Sequence, residues 1–276
     1  MSSMHFLRQL TTWRHHQQKP DVALVLGGGG ARGLAQLGVI RVLQEHGYRI
    51  TSVAGTSIGA LVGGFFVACQ LDEMERRVNA LTHKQLVQLL SFKPGWESVA
   101  TARQLKKLLD KLLCNIRIEQ LAVPYCCVAS DVISGRRYVF TEGKLSTAIR
   151  ASISIPCFFD PVNYKGMLLV DGSVHDTLPL DLARRSRHTI VVAVDASATN
   201  QNPIAKAPQN YLSMTLRCSE MIVSANTELM KQLYHPDVLI NLPTDHYGMF
   251  DFDKGADIIA YGRVLAEKAI AAYERK

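Results

Sequence analysis

Val22-Ala-Leu-Val-Leu-Gly-Gly-Gly-Gly-Ala-Arg-Gly33, followed at a short interval by Gly55-Thr-Ser-Ile-Gly59, is the stretch of this 276-residue chain that decides its fold. An unbroken apolar run from Val22 to Leu26 predicts a strand buried on both faces. The glycines end it, and Gly33 to His46 reads as a helix closed by Gly47. A short strand, Ser52 to Ala54, leads into the pentapeptide, and an apolar helix, Ile58 to Cys69, follows. Strand, glycine turn and helix, twice over, predict an α/β protein. Its layers are expected to be α/β/α around a mainly parallel central sheet.

The glycine loop matches the GxGxxG spacing of dinucleotide-binding turns, but that motif needs an acid at the end of the next strand. No Asp or Glu occurs between Gly47 and Gly59. A phosphate-cradling P-loop fails too, because the GK[ST] ending is absent. What remains is a loop that turns backbone N–H groups into a cleft with no side chains in the way, as an oxyanion hole requires, or a tight turn with no ligand. Arg32 would add positive charge there or brace the loop. Gly55-Thr56-Ser57-Ile58-Gly59 has the GxSxG form of a nucleophile elbow, set between a strand and a helix as that motif demands. The plainer reading of Ser57 is a helix N-cap.

A serine hydroxyl needs a base. Of nine histidines, His5, His15 and His16 fall in the N-terminal segment, and His46 and His83 fall on predicted helices. His175, His188, His235 and His246 stay open as bases, none in a distinctive setting. Asp171 differs: it ends the apolar strand Met167 to Val170 and precedes Gly172-Ser173. A carboxylate at the carboxyl end of such a strand lies on the edge where α/β proteins place their sites, although an Asp-Gly pair also makes an ordinary turn.

With these residues in hand, the chain resembles the patatin-like phospholipases, above all short bacterial members built of little beyond that domain. The resemblance rests on four segments in order: Gly28–Gly33, Gly55–Gly59, Ala151-Ser-Ile-Ser-Ile-Pro156 and Asp171-Gly172-Ser173. It implies a patatin-like fold and a Ser–Asp dyad with Ser57 as nucleophile and Asp171 as base. It also implies an oxyanion hole from the backbone of Gly28, Gly29 and Gly30 with Arg32 nearby. Gly33, Gly55, Gly59, Gly172 and Ser173 complete the motifs. Ser173 stands where the family usually has Gly or Ala, which bears on local hydrogen bonding. Ser152 and Ser154 are expected to bond near the Asp171 loop. The substrate implied is an acyl lipid such as a phospholipid or lysophospholipid, cleaved through an acyl-enzyme. Two alternatives stay open: an esterase or thioesterase on small soluble substrates, and a weakly catalytic regulatory protein on the same fold.

The rest of the sequence bounds this reading. Residues 1–20 form an N-terminal extension in which Phe6, Leu7, Leu10 and Trp13 share one helical face, and 21–276 form a single domain. The extension is read as lying on a membrane or packing on protein. It lacks the apolar core of a signal peptide, and Ile58 to Cys69 is about half a membrane span, so a cytoplasmic chain, with peripheral membrane contact left open, is expected. Cys126 and Cys127 read as buried free thiols, in keeping with a reducing compartment. A net charge of +7 without basic clusters interleaved with aromatics argues against nucleic acid. No metal or cofactor is expected, and the oligomeric state is not legible. Further helices are predicted at Thr101–Cys114, Tyr211–Leu233 and Lys254–Tyr273. Strands are predicted at Tyr125–Ala129, Arg137–Phe140, Thr189–Val194 and Val238–Leu242, with a surface loop over Ala196–Asn210.

Overall fold

The computed structural model describes residues 19–80, 96–198, 207–243 and 246–276. The predicted N-terminal amphipathic face and most of the predicted 196–210 loop lie outside them. In chain order the elements are β1 (Asp21–Leu26), α1 (Ala35–Glu45), β2 (Ile50–Thr56), α2 (Ile58–Val67), α3 (Leu71–Asn79) and α4 (Trp96–Leu112). There follow β3 (Tyr125–Asp131), β4 (Arg136–Phe140), α5 (Leu145–Ser152), β5 (Val162–Tyr164) and β6 (Met167–Asp171). The chain closes with β7 (Thr189–Asp195), α6 (Tyr211–Tyr234), β8 (Val238–Asn241) and α7 (Gly255–Glu274).

The apolar run of β1 lies at the centre of an 8-stranded sheet, with β2 and β7 parallel on its two sides. β3 continues the parallel run beyond β2, and β8 continues it beyond β7. The sheet is mixed: β4 and β6 pair with β3 in the antiparallel sense, and β5 pairs so with β6. Alternate β1 side chains face different layers. Val22, Leu24 and Leu26 join the main core with residues of α1, α2, α5 and α7. Ala23 and Val25 join Val191, Ala193, Leu178 and Leu180 in a smaller cluster, against which Met230 of α6 packs. Burying each such Val or Leu is worth about 1.5–3 kcal/mol, so β1 anchors both layers.

One feature of the register bears directly on the site. β3 pairs through Tyr125–Val128 with β2, and through Ala129–Asp131 with β6. Both partners lie on the edge opposite β4, because Cys127 and Val128 pair with β2 and β4 at once, and Ala129–Asp131 with β6 and β4. β2 and β6 therefore meet head to head along one edge of β3. Thr56 stands opposite Val128, and Asp171 stands opposite the next residue, Ala129.

Several expected boundaries shift. β2 runs on through Gly55 and Thr56, because β3 offers it partners up to Val128. The helix expected from Gly33 starts as a 3₁₀ turn over Gly30–Leu34. Two elements went unpredicted. β5 is only three residues long and is recognisable through the Lys165-Gly166 turn, both with positive φ as a tight hairpin requires. α3 buries Leu71, Met74 and Val78 at helical spacing in an otherwise charged segment. Cys127 is buried as expected, whereas Cys126 is only half-buried; all six cysteines are free.

Candidate active site

Ser57 sits at the joint between β2 and α2 with φ 54° and ψ −124°, a backbone conformation that side chains seldom adopt. The turn is tight enough to require the flanking glycines. A Cβ at Gly55 would stand 2.6 Å from the Gly59 carbonyl oxygen, and one at Gly59 only 2.1 Å from that of Leu26. Although Ser57 occupies the N-cap position, its side chain makes no capping bond. Its Oγ instead donates to Asp171 Oδ2 at 2.6 Å.

Both groups are withdrawn from water, Ser57 at 5% exposure and Asp171 at 3%. Burial pushes the Asp171 carboxyl up to about 6, even though hydrogen bonds from Ser57 and Ser173 pull it the other way. Its second oxygen accepts the Ser173 N–H at 2.8 Å, so Ser173 supports the carboxylate through its backbone, and a serine side chain here leaves that bond intact.

The end of α5 and the residues just after it hold both partners. The Ser57 N–H donates to Ser152 Oγ at 2.9 Å, and that hydroxyl donates to the Val128 carbonyl at 2.6 Å. The Asp171 N–H donates to the Ser154 carbonyl at 2.9 Å. The bonding expected of Ser152 and Ser154 is present, and it reaches the nucleophile elbow as well as the Asp171 loop. Arg150, also buried, donates to Ser154 Oγ and to the Asp160 carbonyl.

The glycine loop departs from the expected oxyanion set at one position. The Gly28 N–H donates to the Thr177 carbonyl at 2.9 Å, so that donor is already engaged. Ala31 N–H is likewise engaged by Met249. Gly29 and Gly30 show no backbone acceptor for their N–H groups among the described residues. Arg32 acts as the brace: its buried Nε donates to the Gly29 carbonyl at 3.2 Å. Burial lowers its pKa, opposed by the charges of Glu220 and Asp195.

The described histidines make their contacts elsewhere. His175 Nε2 meets the Gly135 carbonyl, His46 pairs with Glu267, His235 caps the end of α6, and His246 stacks on Tyr261. Sequence reasoning missed the role of Thr56, whose hydroxyl donates to the Asp176 carbonyl at 2.8 Å, and missed Asp176 itself. Burial pushes the Asp176 carboxyl up to about 6, against the pull of the Arg137 guanidinium bonded to its Oδ2. No run of residues announces that pair, because Arg137 lies on β4 and Asp176 in the loop after β6, and they meet only in the fold. Among the described residues no group of three His, Cys, Asp or Glu side chains is placed to hold a metal ion.

An α/β sheet that presents a buried serine on a strained elbow, bonded to a carboxylate, defines a class of acyl-transfer proteins. The model of the family described as patatin-like phospholipase matches residues 24–184, and the chain belongs to that family. An NTE family protein of Mycobacterium tuberculosis, uncharacterised, is 38% identical over 191 residues, covering 69% of this chain and 53% of that protein. The mouse patatin-like phospholipase domain-containing protein 7 is 28% identical over 270 residues, 87% of this chain and 20% of its own length. A protein named lysophospholipase NTE1 from Debaryomyces hansenii is 26% identical over 286 residues, 92% and 18%. This chain thus spans about half the mycobacterial relative and a fifth of the longer ones. VipD from Legionella pneumophila shares the fold with a TM-score of 0.57 at 14% identity, over 93% of this chain and 67% of that one.

Proposed function

We infer that this chain is a serine acyl-hydrolase that releases fatty acid from lipid acyl esters, with Ser57 as nucleophile and Asp171 as its base. The observation that carries this is the 2.6 Å bond between Ser57 Oγ and Asp171 Oδ2 in a buried setting. A carboxyl near 6 is a far better proton acceptor than one near ~3.9 and is still ionised at neutral pH.

Asp171 takes the hydroxyl proton as Ser57 Oγ bonds to the ester carbonyl carbon. The carbonyl electron pair moves to its oxygen, which the Gly29 and Gly30 N–H groups receive; one such donor is worth roughly 10²–10³ in rate. Collapse breaks the ester C–O bond, and the leaving oxygen takes the proton from Asp171. Water then gives a proton to Asp171, attacks the acyl-serine, and frees the fatty acid as Ser57 regains its proton. No metal ion takes part in these steps. The names of the fungal relatives support a lysophospholipid as substrate.

Labelling by a fluorophosphonate probe tests the dyad. Ser57→Ala is expected to take no label, and Asp171→Asn to label about 10²–10⁴-fold more slowly. Label retained by Ser57→Ala would sink the reading. Preference for short soluble esters over long-chain micellar lysophospholipid would shift the substrate to a soluble ester.

A further inference from the structure

α6 is built inside out. Among its described side chains, those turned toward the protein are largely polar. Asn226 Nδ2 donates to the His175 carbonyl, Thr227 is buried, and Lys231 Nζ lies 2.6 Å from the buried carboxylate of Asp195. Large apolar side chains are turned to water: Tyr211, Met214, Met221, Ile222, Leu229 and Leu233, with Ile222 67% and Leu233 70% exposed, and the polar Thr215, Ser219, Glu228 and Gln232 are exposed with them. A water-facing helix surface has the opposite pattern.

The stripe is long and straight. Positions 211, 214, 218, 222, 225, 229 and 233 step by three, four and four, an 11-residue repeat that barely drifts around a helix. It covers about 33 Å at 1.5 Å per residue. A left-handed helix pair needs a 7-residue repeat, a pair crossing near ~50° would cover only the middle, and a full-length helical partner would have to follow a right-handed supercoil. A flat surface touches the whole length.

The stripe also adjoins the site. Asn226 grips His175, four residues past Asp171, and Glu220 acts electrostatically on Arg32. On the far side of His175, whose ring meets the Gly135 carbonyl, the β3–β4 turn exposes Val132 and Ile133, and Val174 is exposed beside it. The flanks are basic. Arg136 is exposed next to that turn, and Arg184, Arg185 and Arg187 are exposed beside the end of α6, where Arg185 donates to the Tyr234 and His235 carbonyls.

From this arrangement we propose that the outward stripe of α6 is a docking surface for an anionic phospholipid membrane, lying in the lipid interface with the flanking arginines among the headgroups. The proposal rests on the lipid-hydrolase reading for its choice of occupant, but binding and hydrolysis are separable. The apolar stripe supplies insertion, and the arginines supply preference for negative charge.

The test is co-sedimentation of the full chain, in a Ser57→Ala background, with phosphatidylglycerol–phosphatidylcholine vesicles and with phosphatidylcholine alone. Binding is expected to favour the anionic vesicles. The double variant Ile222→Glu, Leu229→Glu is expected to bind about tenfold more weakly or worse. Ala260→Glu, Ala271→Glu on α7 adds the same charge on the other face of the sheet and is expected to bind as the parent does. Unchanged melting temperatures show that all variants fold. Equal binding by the α6 variant, or equal loss in both variants, overturns the proposal. So does a dimer, seen by light scattering, that the α6 variant breaks while vesicle binding persists, because a second copy then covers the stripe. If the active chain binds vesicles in this pattern yet releases no fatty acid and takes no probe at Ser57, the hydrolase reading falls and the docking surface stands.

Discussion

Asp171 carries its charge at neutral pH with little water to help it, held by the Ser57 hydroxyl and by Ser173. Two outcomes follow from a carboxyl raised to about 6. In kcat/KM against pH, activity is expected to rise through pH 6 as Asp171 ionises, and to level off above pH 7. Because Asp176 also stands near 6, the assignment is checked by Asp176→Asn, which is expected to keep the same limb. The second outcome concerns stability. A carboxyl raised on folding favours the folded state below its unfolded value, and that advantage disappears as pH climbs from about 4 through 6. Removing the charge with Asp171→Asn is therefore expected to stabilise the protein at pH 8 by up to about 3 kcal/mol, with no gain near pH 4. Urea unfolding at both pH values measures it; a variant less stable than the parent at pH 8 would contradict the raised carboxyl. A reactive group that weakens the fold it sits in is the usual trade of activity against stability.

At the scale of elements, the join between β1, β2 and α2 decides the site. The Gly59→Ala Cβ would lie 2.1 Å from the Leu26 carbonyl, so α2 would have to move off the end of β1. Activity is expected to fall about a hundredfold, since displacements near ~1 Å suffice for that, while circular dichroism stays near that of the parent. Such contacts also explain what could be read beforehand. β1 declared itself through five consecutive apolar residues, and the GxSxG turn through glycines that the backbone cannot do without. The carboxylate at the end of β6 was visible because strand ends are where sites lie. Other parts were mute. The engagement of the Gly28 N–H depends on Thr177, far off in sequence, and Ser152 reaches the Ser57 N–H across 95 residues. β5 was hidden because a three-residue strand has no periodicity to show, and the antiparallel pairing of β6 because an apolar strand does not declare the direction of its neighbour.

On the scale of the whole molecule, strand β3 gives the site its dimensions. Ser57 and Asp171 are 114 residues apart in the chain, yet they come within 2.6 Å because β2 and β6 end on neighbouring residues of one strand. The separation is set by the sheet ladder and owes nothing to the length of chain between them. That frees the connection to evolve. A small domain spliced into the exposed turn at Cys114-Asn115 is expected to leave probe labelling of Ser57 within a few-fold of the parent, at a loop-closure cost that grows only slowly with length. A one-residue deletion inside β3 is expected to abolish labelling, because it would separate the two strand ends or flip one of them to the other face. Lineages carrying this architecture can thus lengthen and diversify between Ser57 and Asp171 without parting the two side chains, so long as one strand keeps its register.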